Sequence, residues 1–547
     1  MTSDWTDSET FSSVDAAWLH MDTPSNLAVI TGIISFETPP DFKRVKRNFE
    51  RRLLLVHRRF MQRVSPPSMR LGLPRWELDP DFDINNHLVP YRLPEPADHD
   101  TLQDFVGSLM SQPLDPARPL WLFYFIENYA EGAALVCRIH HAVADGLALV
   151  QILLSTTDLQ ADAQEPDYPE PPASENGLLG RLLRPAIKAA AAVGSTWRVA
   201  ENLVYEGAET LVHPTRLVSA AKAGASVTLA LSKLLLIGPD RRTALRGRCD
   251  IPKRAVWSTA IDLQQVKAIG QMMGGTVNDI LVSALTGALR RYLEERQDPV
   301  DGLNIRAVVP VNLRPLDHPE LTGNHFGLVF LSLPVGIRDP LRRLVTLRRR
   351  MNEIKDTPEA LVAFGILGAI GLSPTQIENI IVAIFGMKGS AVVTNVPGPR
   401  QPLYFAGSKI NSMMFWVPTP GNISLGVSIL SYDNKVIVGF AADAGLIPDP
   451  EALLRCFIDE LEQLERWGRP PHGLPAPVAP GEAGSNGKSP AAASSPQTSD
   501  APPANSPSES AACRAMTKSG APCKNRPIPG QPFCRVHASL TEAQNSR

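Results

Sequence analysis

The chain has 547 residues, of which 44% are hydrophobic and 20% are charged, and its formal net charge at pH 7 is −2. This length exceeds one ordinary core, and the apolar fraction is large enough to exclude bulk disorder. The small net charge provides no long-range field that would attract nucleic acid. The N-terminus lacks the basic and apolar stretches of a secretory signal, so we expect a cytoplasmic protein.

The first part of the chain alternates strand-like and helical segments, which predicts an α/β lobe over residues 1–165. Residues 28–36 and 133–139 are rich in β-formers, whereas residues 42–56 and 102–110 have helical spacing. A polar, proline-rich stretch then interrupts the alternation, as is typical of a linker.

Residues 166–250 are predicted to form this linker and a helical connector, and the α/β alternation resumes in a second lobe over residues 251–469. The second lobe includes a long predicted helix at 277–295. No apolar run reaches the roughly 18–20 residues that span a bilayer. The nearest candidates, residues 226–238 and 360–372, fit either a core helix or an element at a membrane interface.

The segment HHAVADG, from His140 to Gly146, follows a β-like run and precedes an apolar helix start. Such junctions often hold catalytic groups, and histidine is the natural base near neutral pH. We expect Asp145 to brace the turn by bonding the imidazole or by pairing with a distant arginine. Gly146 is expected to permit a backbone geometry that a larger residue would resist. A His-His pair alone is usually structural, but the full pattern is more specific.

This pattern resembles the HHxxxDG signature of the superfamily that contains chloramphenicol acetyltransferase, carnitine acyltransferases and nonribosomal peptide condensation domains. Other segments resemble the bacterial wax ester synthase/acyl-CoA:diacylglycerol acyltransferase family, in the expected order over about residues 11–467. These segments are FSSVDAAWLHMDTPSN, PLW at Pro119–Trp121, Asn278-Asp279 in GGTVNDILVSAL, VVPVNLRP at Val308–Pro315, GNHFG at Gly323–Gly327 and TNVPGP at Thr394–Pro399.

The resemblance implies a fold of two chloramphenicol-acetyltransferase-like lobes, with His141 as the general base and Asp145 as a structural or orienting residue. His140 is expected to pack or to hydrogen-bond beside His141. Asn278 either donates a hydrogen bond to the oxyanion or caps its helix, and both interpretations fit the sequence equally.

Pro119, Leu120, Trp121 and Asp279 are expected to shape the substrate pocket, although Trp121 also suits plain core packing. The implied reaction transfers a long-chain acyl group from acyl-CoA to diacylglycerol or to a fatty alcohol, without a catalytic metal or cofactor.

The implied partners are these substrates and a peripheral surface, either the inner face of the membrane or a lipid inclusion. Two alternatives stay open. The first is an HHxxxDG acyltransferase that uses another acceptor or a carrier-bound donor, and the second is a catalytically silent lipid-binding protein.

The C-terminal part has a different composition, which predicts a disordered Pro/Ala/Ser-rich linker at 470–510 and a small module at 511–547. Three thiols and one imidazole in this module form a suitable tetrahedral zinc set, although free thiols in a disordered tail are the alternative. These residues are Cys513, Cys523, Cys534 and His537. The partner of the module is not identified by the sequence.

Overall fold

The computed structural model describes residues 8–67, 72–130, 132–163, 236–313, 324–355, 357–372 and 375–468. Residues 1–472 form one compact unit, and residues 473–547 are a second unit that lies outside the described residues. The predicted linker at 470–510, the zinc module at 511–547 and most of the predicted connector at 166–250 therefore lie outside the described residues as well.

The helices are mostly short and capped by side chains. Helices α1 to α10 are, in chain order, Ser13–His20, Phe42–Asn48, His99–Met110, Gly146–Ser155, Leu263–Met273, Val277–Glu295, Pro340–Lys355, Glu359–Ile370, Thr375–Gly386 and Pro450–Gly468. A π-helix, Phe49–Leu54, continues α2, and 3-10 turns span Arg58–Met61 and Ile84–Asn86. Side chains that accept a hydrogen bond from the first turn start six of the α-helices. They are Ser12, Asp41, Asp98, Asp145, Asp262 and Thr276.

Sixteen strands are described. Strands β1 to β16 are Ser8–Thr10, Val29–Phe36, Gln62–Ser65, Arg75–Leu78, Leu88–Tyr91, Trp121–Tyr129, Gly132–His140, Lys253–Trp257, Ile261–Asp262, Ile305–Asn312, Phe326–Leu333, Ala391–Pro397, Tyr404–Phe405, Ser408–Trp416, Leu425–Tyr432 and Lys435–Asp443. The predicted α/β class is confirmed, and so is the long helix predicted at 277–295, which is α6.

Two large sheets organise the described residues, and each has its own hydrophobic core. The first sheet has the strand order β13-β14-β2-β7-β6-β5, and every residue of β7 is buried. The second sheet has seven strands, six of them in the order β11-β10-β12-β15-β16-β8, and β9 pairs with β16. Helices α6 and α10 pack against each other within the second core. A small sheet of β1, β4 and β3 lies apart from both.

The two halves of the chain are joined by strand exchange. Strand β14 belongs to the second half by sequence, but it pairs antiparallel with β2, where Trp416 lies opposite Thr31 and Phe415 opposite Gly32. The first sheet therefore includes strands from both halves. The lobe boundaries at 165 and 251 stay a prediction.

Among the helices of the described ranges, none combines the length and the apolar character needed to cross a membrane. The apolar segment 360–372 lies largely in α8, whose buried residues include Ala363 and Leu367. Most of the other apolar segment, 226–238, lies outside the described residues.

Candidate active site

The two histidines lie at the end of β7, where the strand turns toward α4. The His140 N–H donates to the Leu120 carbonyl at 2.9 Å, and the His141 N–H donates to the Ala28 carbonyl at 2.7 Å. Because Leu120 and Ala28 flank the motif on opposite sides, the backbone of both histidines is fixed.

The imidazole of His141 contacts two aromatic rings, which also lie against each other with their centroids 5.9 Å apart. Trp18 of α1 stacks on it with ring centroids 4.0 Å apart, and Phe326 of β11 lies 5.4 Å away by centroids. The ring of His141 is buried, which lowers its pKa to about 4, although Asp145 and Asn324 act in the opposite direction. His141 is therefore neutral near pH 7 and available as a proton acceptor.

The two ring nitrogens of His140 have neighbours that suit a structural role. Its Nδ1 accepts a hydrogen bond from the Ala142 N–H at 3.1 Å, and its Nε2 lies 3.7 Å from the Asp22 carboxylate. Asp22 also accepts a hydrogen bond from the Ala28 N–H at 2.7 Å, the residue whose carbonyl binds His141. His140 therefore stabilises the turn that presents His141.

Asp145 holds two backbone segments together. One carboxylate oxygen caps α4 by accepting from the Ala148 N–H at 3.0 Å, and the other accepts from the His325 N–H at 3.1 Å. Both of these donors are backbone amides, one from each half of the chain, and the Ala148 amide belongs to a helix N-terminus, which offers unpaired N–H groups. That the carboxylate of Asp145 also bonds the imidazole or pairs with an arginine stays a prediction.

Asn324 connects the histidine motif to α1. Its side-chain amide donates to the Asp15 carboxylate at 2.7 Å and to the His141 carbonyl at 2.9 Å, and its backbone N–H also donates to Asp15 at 3.1 Å. Burial raises the pKa of Asp15, while the hydrogen bonds from Asn324 act to lower it. Asp15 and Asp145 together hold Asn324 and His325 on the motif, which places the following residue, Phe326, against His141.

The expectation for Gly146 is wrong. Its φ lies outside the left-handed region, and a Cβ at this position would meet Phe415 and Val417 at 3.9 Å, an ordinary contact. No special backbone geometry therefore requires a glycine here. Gly146 instead lines an apolar pocket, where a missing side chain leaves space.

The PLW element lies beside the motif but inside the core. Trp121 is fully buried, its indole N–H donates to the Phe60 carbonyl at 2.7 Å, and its ring stacks on His87. These contacts support packing, the alternative that the sequence left open. The Pro119 carbonyl accepts from the Trp121 N–H, and Leu120 holds His140, so the element positions the first histidine.

Asn278 and Asp279 lie in the first turn of α6. Asp279 forms a capping box with Thr276, in which each side chain accepts from the other's backbone N–H, so its described bonds are structural rather than substrate-binding. The Asn278 side chain accepts from the Asn395 amide at 2.7 Å and places its own amide 3.9 Å from the Met351 sulfur. Within the described residues, neither bond joins Asn278 to His141.

An apolar pocket begins next to the motif and lies between the first sheet and α4. Its walls come from β2, β7, β14, α4 and the turn that follows β12. Its lining residues include Gly146 and Leu153 of α4 and Phe415 of β14. Leu153 follows Gly146 by seven positions on α4, so the helix places it about 10 Å farther along the pocket.

The four predicted zinc ligands, Cys513, Cys523, Cys534 and His537, lie outside the described residues. Within the described ranges, no group of three or more His, Cys, Asp or Glu residues has a geometry for holding a metal ion. Cys137, Cys249 and Cys456 are buried free thiols.

Sequence reasoning missed four residues that build the site: Asp15, Trp18, Asn324 and Phe326. All four lie in segments that were used only for the family resemblance, FSSVDAAW and GNHFG. A buried carboxylate or amide carries no local periodic signal, because its partners lie far away in the chain. The co-occurrence of these segments with the histidine motif was the one signal available.

Family comparisons match most of the described residues. The model described as "Wax ester synthase/diacylglycerol acyltransferase catalytic domain" matches residues 11–281, and the model described as "WS/DGAT C-terminal domain" matches residues 322–465. A Mycobacterium tuberculosis protein, provisionally named a diacylglycerol O-acyltransferase, is 30% identical over 464 residues, which cover 82% of this chain and 90% of that protein. A similarly named Mycobacterium bovis protein is 26% identical and covers 74% of this chain and 84% of its own.

Two solved structures share the fold. The wax ester synthase/diacylglycerol acyltransferase from Marinobacter aquaeolei VT8 has a TM-score of 0.59 at 22% identity, covering 84% of this chain and 99% of its own. A mutant starter condensation domain of rhizomide synthetase, solved with C8-CoA and Leu-SNAC, has a TM-score of 0.52 at 12% identity, covering 84% and 94%.

The low pKa of His141 predicts how kcat/KM depends on pH. A reaction that uses this imidazole as its base needs it neutral, so kcat/KM should stay level from pH 7 to about pH 5 and fall only as the pH approaches about 4. A profile of kcat/KM against pH measures this. An acid limb centred near the ordinary value of 6.5 would contradict the prediction.

The control for this pH profile is a measurement of whether the protein stays folded at each pH. In the unfolded chain the imidazole regains a pKa near 6.5, so protons favour unfolding as the pH falls from 6.5 to about 4. Circular dichroism at each pH therefore shows whether a loss of rate is a titration or a loss of structure.

Proposed function

The chain belongs to the wax ester synthase/diacylglycerol acyltransferase family, and on this premise we propose that it transfers a long-chain acyl group from acyl-CoA to the hydroxyl of diacylglycerol or of a fatty alcohol. The observation that carries the proposal is the neutral, buried His141 in a motif whose last residue, Gly146, lines an apolar pocket. Diacylglycerol is the favoured acceptor, because the names of the relatives specify it.

The proposed mechanism is direct transfer between two bound substrates. His141 takes the proton of the acceptor hydroxyl while the oxygen attacks the thioester carbonyl, and a tetrahedral oxyanion forms. The intermediate then collapses, the C–S bond breaks, and the CoA thiolate receives the proton from the imidazolium. The products are the ester and free CoA.

Asn278 is proposed as a donor to the oxyanion. Its carbonyl oxygen is fixed by Asn395, which sets the direction of the amide. Among the described residues, the partner of the amide is the Met351 sulfur at 3.9 Å, and a thioether is a weak acceptor. This donor can therefore exchange its partner for a stronger acceptor at little cost.

The apolar pocket is proposed to hold the alkyl chain of the acyl group. It begins at Gly146, five residues after His141, and its lining side chains are almost entirely hydrocarbon. A long chain placed there is removed from water, which contributes about 0.8 kcal/mol for each buried methylene. The acyl chain and its carbonyl would then lie in line with the histidine.

The enzyme is further proposed to act at a lipid surface, either the inner face of the membrane or a lipid inclusion. Diacylglycerol and long-chain alcohols have very low concentrations in water, so an enzyme that uses them benefits from contact with the phase that contains them.

Replacing the base tests the reaction directly. His141→Asn should lower kcat for acceptor-dependent CoA release by roughly 10²–10⁴-fold, the range contributed by general acid–base groups. Release of thiol from palmitoyl-CoA is followed with dioleoylglycerol or hexadecanol, and the lipid products are separated by chromatography. Equal rates in wild type and variant would remove His141 as the base.

The matched control is His57→Asn. His57 is also buried with a pKa lowered to about 4, but it contacts Phe60 and lies outside the site. This variant should retain the wild-type rate. No release by the wild-type protein with either acceptor would favour a carrier-bound donor or a silent lipid-binding protein.

Narrowing the far end of the pocket tests where the acyl chain lies. Leu153→Trp should lower kcat/KM for palmitoyl-CoA about tenfold relative to octanoyl-CoA, because only the longer chain reaches this position. Gln151→Trp is the matched control, since Gln151 is similarly half-buried on α4 but does not line the pocket. If the acceptor chain-length preference changes instead, the pocket holds the alcohol.

We also propose that Cys513, Cys523, Cys534 and His537 bind one structural zinc ion, on the strength of their donor atoms alone. The purified full chain should contain about one zinc per molecule by mass spectrometry. Cys513→Ser/Cys534→Ser should abolish this content, whereas Cys249→Ala/Cys456→Ala, which removes two buried thiols elsewhere, should preserve it. Zinc-free wild-type protein that still gains none on incubation with zinc would contradict the proposal.

A further inference from the structure

Helix α9 exposes a continuous apolar stripe. The residues on its exposed side that the structure describes are Ile380, Ala383, Ile384 and the following Met387. Their spacing of three and four positions places them on one face of the helix. Ile380 is 60% exposed and Ile384 is 40% exposed, so large apolar side chains face away from the protein.

Helix α8 extends this surface. It contacts α9, and its exposed positions, Gly365 and Ala369, are followed by Leu372, which is 70% exposed. Within the described part of α8 and α9, the exposed stripes carry no charged residue. We call these stripes, with Met387, the apolar face.

Helix α7 shows what an ordinary exposed face looks like in this chain. Leu341 and Val345 are 45% and 60% exposed, much like Ile384 and Ile380. Their neighbours on the surface of α7 include the exposed residues Arg342 and Arg349. Leu341 and Val345 are therefore neighbours bordered by charged residues, whereas no charged residue lies among the described exposed positions of α8 and α9.

Basic residues lie at one end of the apolar face. The Asp240 N–H donates to the Met387 carbonyl at 2.9 Å, and the Arg246 guanidinium donates to the same carbonyl at 2.7 Å. This segment also carries Arg241 and Arg242, which are exposed. An apolar surface with cations at its edge is complementary to an anionic lipid surface.

The apolar face is fixed to the elements that enclose His141. A Cβ at Gly371, after α8, would lie 1.7 Å from the Ser13 carbonyl of α1, and a Cβ at Gly327 of β11 would lie 1.9 Å from the Ala360 carbonyl of α8. Such approaches are open only to glycine, so α8 packs backbone to backbone on both elements. Those elements carry Trp18 and Phe326, the two rings beside His141.

We propose that the apolar face is the surface by which this protein docks on a phospholipid bilayer, with Arg241 and Arg242 at the anionic headgroups. This inference rests on the proposed function, since α8 of the apolar face packs on α1 and β11, the two elements whose rings contact the proposed catalytic histidine.

The test is binding of the full chain to sedimented vesicles of phosphatidylcholine with and without phosphatidylglycerol. Ile380→Gln/Ile384→Gln should lower the partition coefficient about tenfold on both vesicles, because apolar contacts with the acyl region are lost. Leu341→Gln/Val345→Gln is the matched control, with the same spacing and similar exposure on α7, and it should bind as the wild type does.

A second double substitution separates the contribution of charge to vesicle binding from that of the apolar contacts. Arg241→Gln/Arg242→Gln should weaken binding about fivefold per arginine on vesicles that contain phosphatidylglycerol and leave binding to pure phosphatidylcholine unchanged. Equal losses on both vesicles would contradict the role of these arginines at anionic headgroups.

Acyltransfer rates with a water-soluble acceptor and with an acceptor in vesicles distinguish a failure of docking from a failure of the proposed function. Ile380→Gln/Ile384→Gln should keep the wild-type rate with monomeric hexanol and lose rate only with dioleoylglycerol in vesicles. Wild-type protein that does not bind vesicles, or binding that survives in this variant, would overturn the docking proposal whatever the rate with hexanol. A wild-type dimer that the variant converts to a monomer, without vesicle binding, would also overturn it and assign the apolar face to self-association.

Discussion

The site depends on how the segment at Asn324 and His325 is held against the histidine motif. Two buried carboxylates, Asp15 and Asp145, accept hydrogen bonds from its backbone, and the Asn324 amide donates to the His141 carbonyl. A buried carboxylate costs several kcal/mol unless its oxygens are hydrogen-bonded, so both halves of the chain must meet in one register for either carboxylate to be stable. The same register brings Phe326 against His141 and completes the removal of the imidazole from water. The hydrogen bonds that Asp15 and Asp145 need therefore also place the apolar ring of Phe326 against His141.

The apolar pocket also requires both halves of the chain, because β14 of the second half pairs with β2 of the first. Its walls include β2 and β7 from the first half and β14 from the second, and Phe415 of β14 lies near Gly146 at the start of α4. Neither half could form this pocket alone, because one wall would be missing. The base, its enclosure and the pocket are thus all products of one interface, and a change that separates the halves should affect all three together.

Local sequence patterns predicted the features that depend on neighbouring residues in the chain. The helical spacing at 277–295 and the β-rich run before the histidines were confirmed as α6 and β7, since both depend on neighbours within one element. The histidine motif is local as well, and its assignment as the place of the chemistry stays a prediction. The prediction for Gly146 was wrong because a glycine can either adopt an unusual backbone conformation or leave room where a side chain would be. The sequence does not distinguish these two roles, but the side chains around the glycine do. Asp15, Trp18 and Asn324 were missed because their importance comes from contacts between residues more than a hundred positions apart.

With a pKa of about 4, the proposed base His141 is neutral at every physiological pH, but it is a weak base, so its enclosure must favour proton transfer in another way. The hydroxyl gives up its proton only as the oxyanion forms, and at that moment imidazolium and oxyanion are a pair of opposite charges in a medium of low polarity. Such a pair attracts more strongly than it would in water. Asp145 acts in the same direction, since its charge favours the imidazolium. The burial that makes His141 weak as a free base therefore increases the stabilisation of the charged transition state, provided that both substrates exclude water from the site. In the proposed mechanism, contact with two aromatic rings away from the surface therefore suits the base, and acylation of the lipid hydroxyl should prevail over hydrolysis of the thioester.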